Sequence, residues 1–307
     1  MKPKIIFFGN ERLATGVTTD VPVLKALLAN GYDVAALVIA QSDTGNSRKQ
    51  RALEVVEVAE AHNIPVLPPK SLREPKIAAD LASYGAVAGV LVAYGKLVPE
   101  NIIKLFPCGI VNVHPSLLPG HRGSTPLESV IRLGEPETGV SLMALVATMD
   151  AGPVYAQEVV PLSGTETKQE LMDKLSALGA EMMIRTLPKI LDGSFKGEAQ
   201  DESKVTEDSR IQKADSDLDT KKSATELERE IRAFAGWPRS RTLIGTQEVI
   251  ITKAHVSDVA GMAGTLWLEG KELGLHCAEG TLIIDSLIPS GKKEMPASAF
   301  LTGYNLN

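Results

Sequence analysis

Gly109-Ile110-Val111-Asn112-Val113-His114-Pro115-Ser116-Leu117-Leu118-Pro119-Gly120-His121-Arg122-Gly123 is the stretch on which the reading of the whole chain turns. Ile110–His114 alternates apolar and polar residues as a β-strand does, and side chains two apart in a strand share a face. Asn112 and His114 therefore present one amide and one imidazole to the same space. Pro115 ends the strand, because it has no N–H and restricts the residue before it to extended conformations. A polar pair at the carboxyl end of a strand, followed by a loop bracketed by proline and glycine, is where open α/β sheets hold their ligands. Taken alone, an Asn-x-His pair is also compatible with two side chains that satisfy each other or a backbone group.

Upstream, Lys4–Phe8 reads as a buried strand. Asp20 is placed to cap a helix over Val21–Leu28, with Asn30-Gly31 as its stop. Val34–Ile39 is a second strand, Leu53–Glu60 is helical, Ile64–Leu67 is a short strand, Ile77–Ser83 is helical, and Ala86–Ala93 is a fourth strand ending at Tyr94-Gly95. Strands alternating with helices imply a parallel sheet. The turn after the first strand reads Gly9-Asn10-Glu11-Arg12 and lacks Gly-x-Gly-x-x-Gly, so no nicotinamide cofactor is expected.

Downstream, Pro126–Leu133 is helical, and Gly139–Val146 with Val154–Pro161 form an antiparallel pair around Asp150-Ala151-Gly152. Thr167–Leu191 is a long amphipathic helix, and Gly193–Asp208 is polar and turn-rich, as a linker is. A second unit follows: a helix over Ala224–Phe234, then the short strands Thr242–Ile244, Val249–Val256, Gly264–Leu268, Leu273–Cys277 and Thr281–Leu287. That spacing suggests a small β-barrel.

The 307 residues suffice for two domains. No apolar run is long enough to cross a bilayer, so no membrane partner is expected. The opening run Ile5–Phe8 is too short for a signal-peptide core, and a cytoplasmic location is expected. Cys108 and Cys277 read as free thiols. The net charge of −6 argues against a general nucleic-acid coat but leaves room for a local basic patch. From Asp208 onward 12 Lys and Arg stand against 14 Asp and Glu, so the second unit is not basic overall. His121 lies seven residues past His114 across a proline-broken loop, which is not a ligand spacing, and no metal is expected.

Asn112-x-His114 followed by Ser116-Leu117-Leu118-Pro119 and then Arg122-Gly123 resembles the signature of the folate-dependent formyltransferases. The segments Glu137–Leu142 and Met149–Gly152 are similar to that family as well. The resemblance implies a Rossmann-like, mostly parallel-sheet formyltransferase domain over residues 1–206 and a C-terminal, OB-like β-barrel domain over 207–307. It implies 10-formyltetrahydrofolate as formyl donor, with Asn112, His114 and Asp150 as the catalytic group. Asp150 would fix the orientation and protonation of His114, directly or through water. Ser116, Leu117, Leu118 and Pro119, with Tyr94 and Gly95 at the neighbouring strand end, would hold the folate. Formyl transfer requires donors for an oxyanion and a group that moves a proton near neutrality, which an amide and an imidazole supply.

The C-terminal segments Ile231–Phe234, Trp237-Pro238 and Pro289–Lys293 are similar to those of family members that formylate initiator methionyl-tRNA at the start of translation. That likeness implies tRNA as partner, with Arg48, Lys49 and Arg51 of the loop Gln41–Arg51 meeting its phosphates; a monomer is expected. Sugar-nucleotide formyltransferases and formyltetrahydrofolate hydrolases share the catalytic group and a second domain and stand as alternatives. A non-enzymatic RNA-binding module would need neither the three polar residues nor the loop.

Overall fold

The first strand explains why the sheet forms where it does. Ile5–Phe8 are fully buried and are flanked on both sides by other strands, as an unbroken β-branched and aromatic run demands. The computed structural model describes residues 2–41 and 53–304. In chain order these contain β1 (Lys4–Gly9), α1 (Pro22–Ala29), β2 (Asp33–Val38), α2 (Glu54–Ala61), β3 (Val66–Leu67), α3 (Pro75–Ser83), β4 (Ala88–Val92), α4 (Glu100–Ile103), β5 (Ile110–His114), β6 (Arg122–Gly123) and α5 (Pro126–Leu133). There follow β7 (Glu137–Ala144), β8 (Val154–Pro161), α6 (Lys168–Leu191), β9 (Glu207–Asp208), α7 (Ala224–Ala233), β10 (Ser240–Ile244) and β11 (Gln247–Ser257). The chain closes with β12 (Leu266–Glu269), β13 (Glu272–His276), β14 (Thr281–Pro289), β15 (Met295–Pro296) and α8 (Ala297–Gly303).

Contacts divide the chain into two compact units. The first comprises Met1–Pro126, Glu137–Pro161 and Leu171–Ser209; the second comprises Leu127–Pro136, Leu162–Glu170 and Arg210–Asn307. Against an expected division after residue 206, two short segments from the N-terminal half thus group with the second unit. Polar contacts within that unit show why. Lys168, fully buried, reaches Glu128 at 3.4 Å and the Trp237 carbonyl at 2.9 Å. Burial pushes the Lys168 ammonium below its usual pKa, with Glu128 opposing that shift. Arg132 meets Glu230 at 3.2 Å, and Arg232 donates to the Glu166 carbonyl at 2.8 Å.

The first unit holds a seven-stranded sheet of order β3-β2-β1-β4-β5-β7-β8. Its first five strands are mutually parallel, and β7 and β8 are antiparallel additions beside β5. The chain proceeds outward from β1 in both directions, so the connections that leave the carboxyl ends of β1 and β4 part there, where a crevice opens in sheets of this type. Close approach at that edge requires glycine at position 9. Its φ is +118°, and a Cβ there would lie 1.8 Å from the Val92 carbonyl oxygen.

The second unit holds an antiparallel sheet of order β10-β11-β14-β13-β12, with β15 paired to β14. Its core gathers Leu227 and Ile231 of α7, Phe300 of α8 and the inward residues Ile244, Val249, Ile251, Leu282 and Leu287. The expected barrel takes this form without closure: β10 and β12 are not paired to each other among the described residues. No helix of the described residues is long and apolar enough to cross a membrane.

Candidate active site

β5 lies between β4 and β7, with Asn112 opposite Leu91 on one side and Met143 on the other, and His114 opposite Ser141. The ladder fixes both side chains by their backbones before any side-chain contact is made. The Asn112 residue is 6% exposed, and its amide makes no hydrogen bond to a described residue. An amide so placed can both donate to and accept from a ligand at the strand end.

His114 is held from both sides. Its Nε2 lies 2.9 Å from the His121 carbonyl oxygen, which can only accept, so Nε2 carries hydrogen. The other ring nitrogen, Nδ1, faces Asp150 Oδ1 at 3.8 Å, with the two side chains 5% and 13% exposed. That separation exceeds a direct hydrogen bond and is one that a single water spans. The ring thus has the His121 carbonyl at one nitrogen and the Asp150 carboxyl group at the other.

Asp150 sits at φ +48°, a left-handed conformation uncommon for a residue with a side chain. Its Oδ2 accepts from the Gly123 N–H at 2.9 Å. Gly152, two residues on, is required by contact rather than by φ, since a Cβ there would fall 1.8 Å from the Ala144 carbonyl oxygen.

The Ser116–Pro119 loop is anchored to the sheet. Ser141 Oγ donates to the Ser116 carbonyl at 2.6 Å and accepts from the Leu118 N–H at 3.1 Å. Gln157 donates to the Leu118 carbonyl at 2.7 Å, and Ser116 Oγ closes the loop onto the Gly120 carbonyl at 2.7 Å. The hydroxyl of Ser116 and the backbone of Leu118 are therefore committed within the protein, and the Leu118 side chain is buried. Leu117 and Pro119 are the half-buried members of the loop. Tyr94 is turned into the core, edge-on to Phe8 at 6.1 Å, and burial pushes its phenol up to about 12. What the Tyr94-Gly95 strand end offers a ligand is backbone, with Gly95 exposed at φ +75°. Arg48, Lys49 and Arg51 lie outside the described residues.

Several residues at the site carried no sequence signal. Glu11, fully buried beside β1 and β4, accepts the Val23 and Leu24 N–H groups at 2.9 and 2.8 Å. Burial raises its carboxyl to about 7, against the lowering effect of those two N–H groups. The second half of the segment read as a linker is tied to the signature loop. β9 pairs with β6, Thr206 Oγ1 accepts the His121 N–H at 2.8 Å, and Asp208 meets His121 Nδ1 at 3.0 Å. Buried Arg122 is bound by Gln200 and Glu202. Among the described residues no group of His, Cys, Asp and Glu is arranged to hold a metal ion.

An amide, a tethered imidazole and a carboxylate at the carboxyl edge of an α/β sheet can stabilise an oxyanion and carry a proton, the chemistry of acyl transfer. Residues 4–187 match the family described as Formyl transferase, and residues 210–305 match Formyl transferase, C-terminal domain. The chain belongs to the formyl transferase family. Within it, methionyl-tRNA formyltransferase of Myxococcus xanthus is 36% identical over 306 residues, spanning 99% of this chain and 96% of that protein. The methionyl-tRNA formyltransferase of Methylococcus capsulatus is 37% identical over 307 residues, spanning 99% and 97%.

Solved structures extend the likeness of fold. The N-formyltransferase of Helicobacter canadensis, in complex with folinic acid and dTDP-3-aminofucose, superposes with a TM-score of 0.67 at 18% identity, covering 96% of this chain and 100% of that one. HypX of Aquifex aeolicus, in complex with tetrahydrofolic acid, gives 0.66 at 16% identity, covering 98% of this chain and 47% of that one.

Proposed function

We propose that this enzyme transfers the formyl group of 10-formyltetrahydrofolate to the amino group of initiator methionyl-tRNA, with Asn112, His114 and Asp150 as its catalytic residues. The observation that carries the assignment is the Asn112 amide on the same strand face as an imidazole that faces a carboxylate. Full-length relatives that are methionyl-tRNA formyltransferases support the acceptor. The reaction belongs to the cytoplasm, and the enzyme acts there as a monomer.

The amine attacks the formyl carbon, the carbonyl electrons move onto oxygen, and the bond to the folate nitrogen breaks as that nitrogen regains a proton. Asn112 donates an N–H to the oxyanion without bringing a charge that must be neutralised. His114 holds its Nε2 hydrogen on a backbone carbonyl, so Nδ1 is the nitrogen that takes up and releases a proton. Asp150 lies on that side and stabilises the imidazolium as it forms. Leu117 and Pro119, with the backbone at Tyr94-Gly95, border the slot for the pterin; no metal takes part.

Incubating the enzyme with 10-formyltetrahydrofolate and either charged initiator tRNA, an amino sugar nucleotide or water alone separates the acceptors. Formyl-methionyl-tRNA as the sole product is expected; formylated sugar or free formate at comparable rate would replace the assignment. His114→Ala is expected to lower kcat by about 10²–10⁴-fold, the range for a general acid–base group. Full activity in that variant removes His114 from the mechanism.

A further inference from the structure

We propose that Gln200 is a positioning residue for this reaction, setting Asp150 against His114 from a segment that neither family match covers. The inference rests on the assignment of His114 and Asp150 as catalytic. Gln200 Nε2 donates to the Asp150 carbonyl at 2.7 Å and to the Gly152 carbonyl at 2.8 Å. Its Oε1 accepts from Arg122 Nε at 3.2 Å and Nη2 at 2.9 Å. Two donors and two acceptor sites are all that a carboxamide has, and all four are used. The orientation of the amide is fixed by chemistry, since carbonyls only accept and a guanidinium only donates.

Both halves of the catalytic pair depend on that one side chain. On one side it grips the carbonyls of the turn that holds Asp150 at φ +48°, a conformation retained only where surroundings impose it. On the other it holds Arg122, the chain neighbour of His121, whose carbonyl orients the His114 ring. Glu202 completes the hold on Arg122 through Oε1 at 2.8 Å and Oε2 at 3.2 Å. The 3.8 Å separation of His114 and Asp150 is therefore spanned by a closed circuit of backbone and amide contacts with Gln200 at its far side. Gln200 touches neither imidazole nor carboxylate, so its effect passes through their placement.

The test compares Gln200→Glu and Gln200→Leu in the full chain. Glutamate keeps the oxygen facing Arg122 but turns an acceptor onto two carbonyls; leucine removes the polar contacts at similar size and decides the matter where the first exchange prevents folding. kcat is expected to fall roughly 10- to 100-fold, as for a small misplacement of a catalytic group, with both KM values unchanged. The ring-nitrogen NMR signals of His114 are expected to move as they do in Asp150→Asn. Unchanged kcat in both variants overturns the proposal, as does a loss confined to KM. Loss of activity in Asp150→Asn beside full activity in the Gln200 variants overturns this inference alone. Full activity in Asp150→Asn overturns the catalytic assignment beneath it, and this inference with it.

Discussion

Glu11 shows how far a single side chain's chemistry departs from its sequence type. Its two carboxyl oxygens each accept one N–H at the start of α1, yet its carboxyl is raised from 4.5 to about 7 because burial outweighs those bonds. A raised acid pKa means that the folded chain holds the proton more tightly than the unfolded one. Below about pH 4.5 both states are protonated and the contribution of neutral Glu11 is fully present. It declines as pH rises toward 7 and is lost above it, a change on the order of 3 kcal/mol. In urea unfolding followed from pH 4.5 to 8, the difference in stability between the native chain and Glu11→Gln is expected to shift steadily toward the variant across that window. Parallel profiles would show that Glu11 is ionised throughout.

At the scale of elements, the same residue explains why α1 begins where it does. Asp20 was the expected cap, but it is exposed, and the residue before the helix is Val21, in a left-handed conformation with no side-chain cap. The orphan N–H groups are satisfied from Glu11, twelve residues upstream of Val23, which no local pattern announces. α7, by contrast, carries its cap in sequence: Ser223 and Glu226 form a reciprocal capping box. Ser223→Ala is accordingly expected to cost about 1 kcal/mol, and Asp20→Ala to stay within about 0.5 kcal/mol, both measurable by urea unfolding. Periodicity made β1, β2, β4, β5 and β7 legible because each buries an unbroken or alternating face. The two-residue strands β6 and β9 have no period to read. Gly193–Asp208 looked like a linker because composition cannot separate a polar side chain facing water from one, such as Gln200 or Thr206, bonded within the protein. Asn112, His114 and Asp150 were singled out through motif likeness. The carbonyl of His121 that holds the ring was not, since backbone groups leave no trace in a sequence.

For the whole molecule, the electrostatics of its partner have to be reconciled with a chain of net charge −6. Neither half supplies a general attraction for nucleic acid: the residues from Asp208 onward carry 12 Lys and Arg against 14 Asp and Glu. Part of that positive charge is also taken up internally, with Lys222 on Glu230 and Arg232 on Glu228. Recognition of tRNA must then come from a few local cations, for which Arg48, Lys49 and Arg51 are the sequence's candidates. The number of phosphates neutralised sets how steeply affinity falls with salt, by about 0.7–0.9 in the log–log slope for each. A titration of KM for methionyl-tRNA against ionic strength is therefore expected to give a shallow slope, while KM for 10-formyltetrahydrofolate changes little. Reversing the charge of the three residues should raise KM for tRNA and flatten that slope by roughly their share of the phosphate contacts, with turnover of folate intact at saturating tRNA. A native slope that is already flat, or one that the triple variant leaves unchanged, would move the tRNA contact away from that loop.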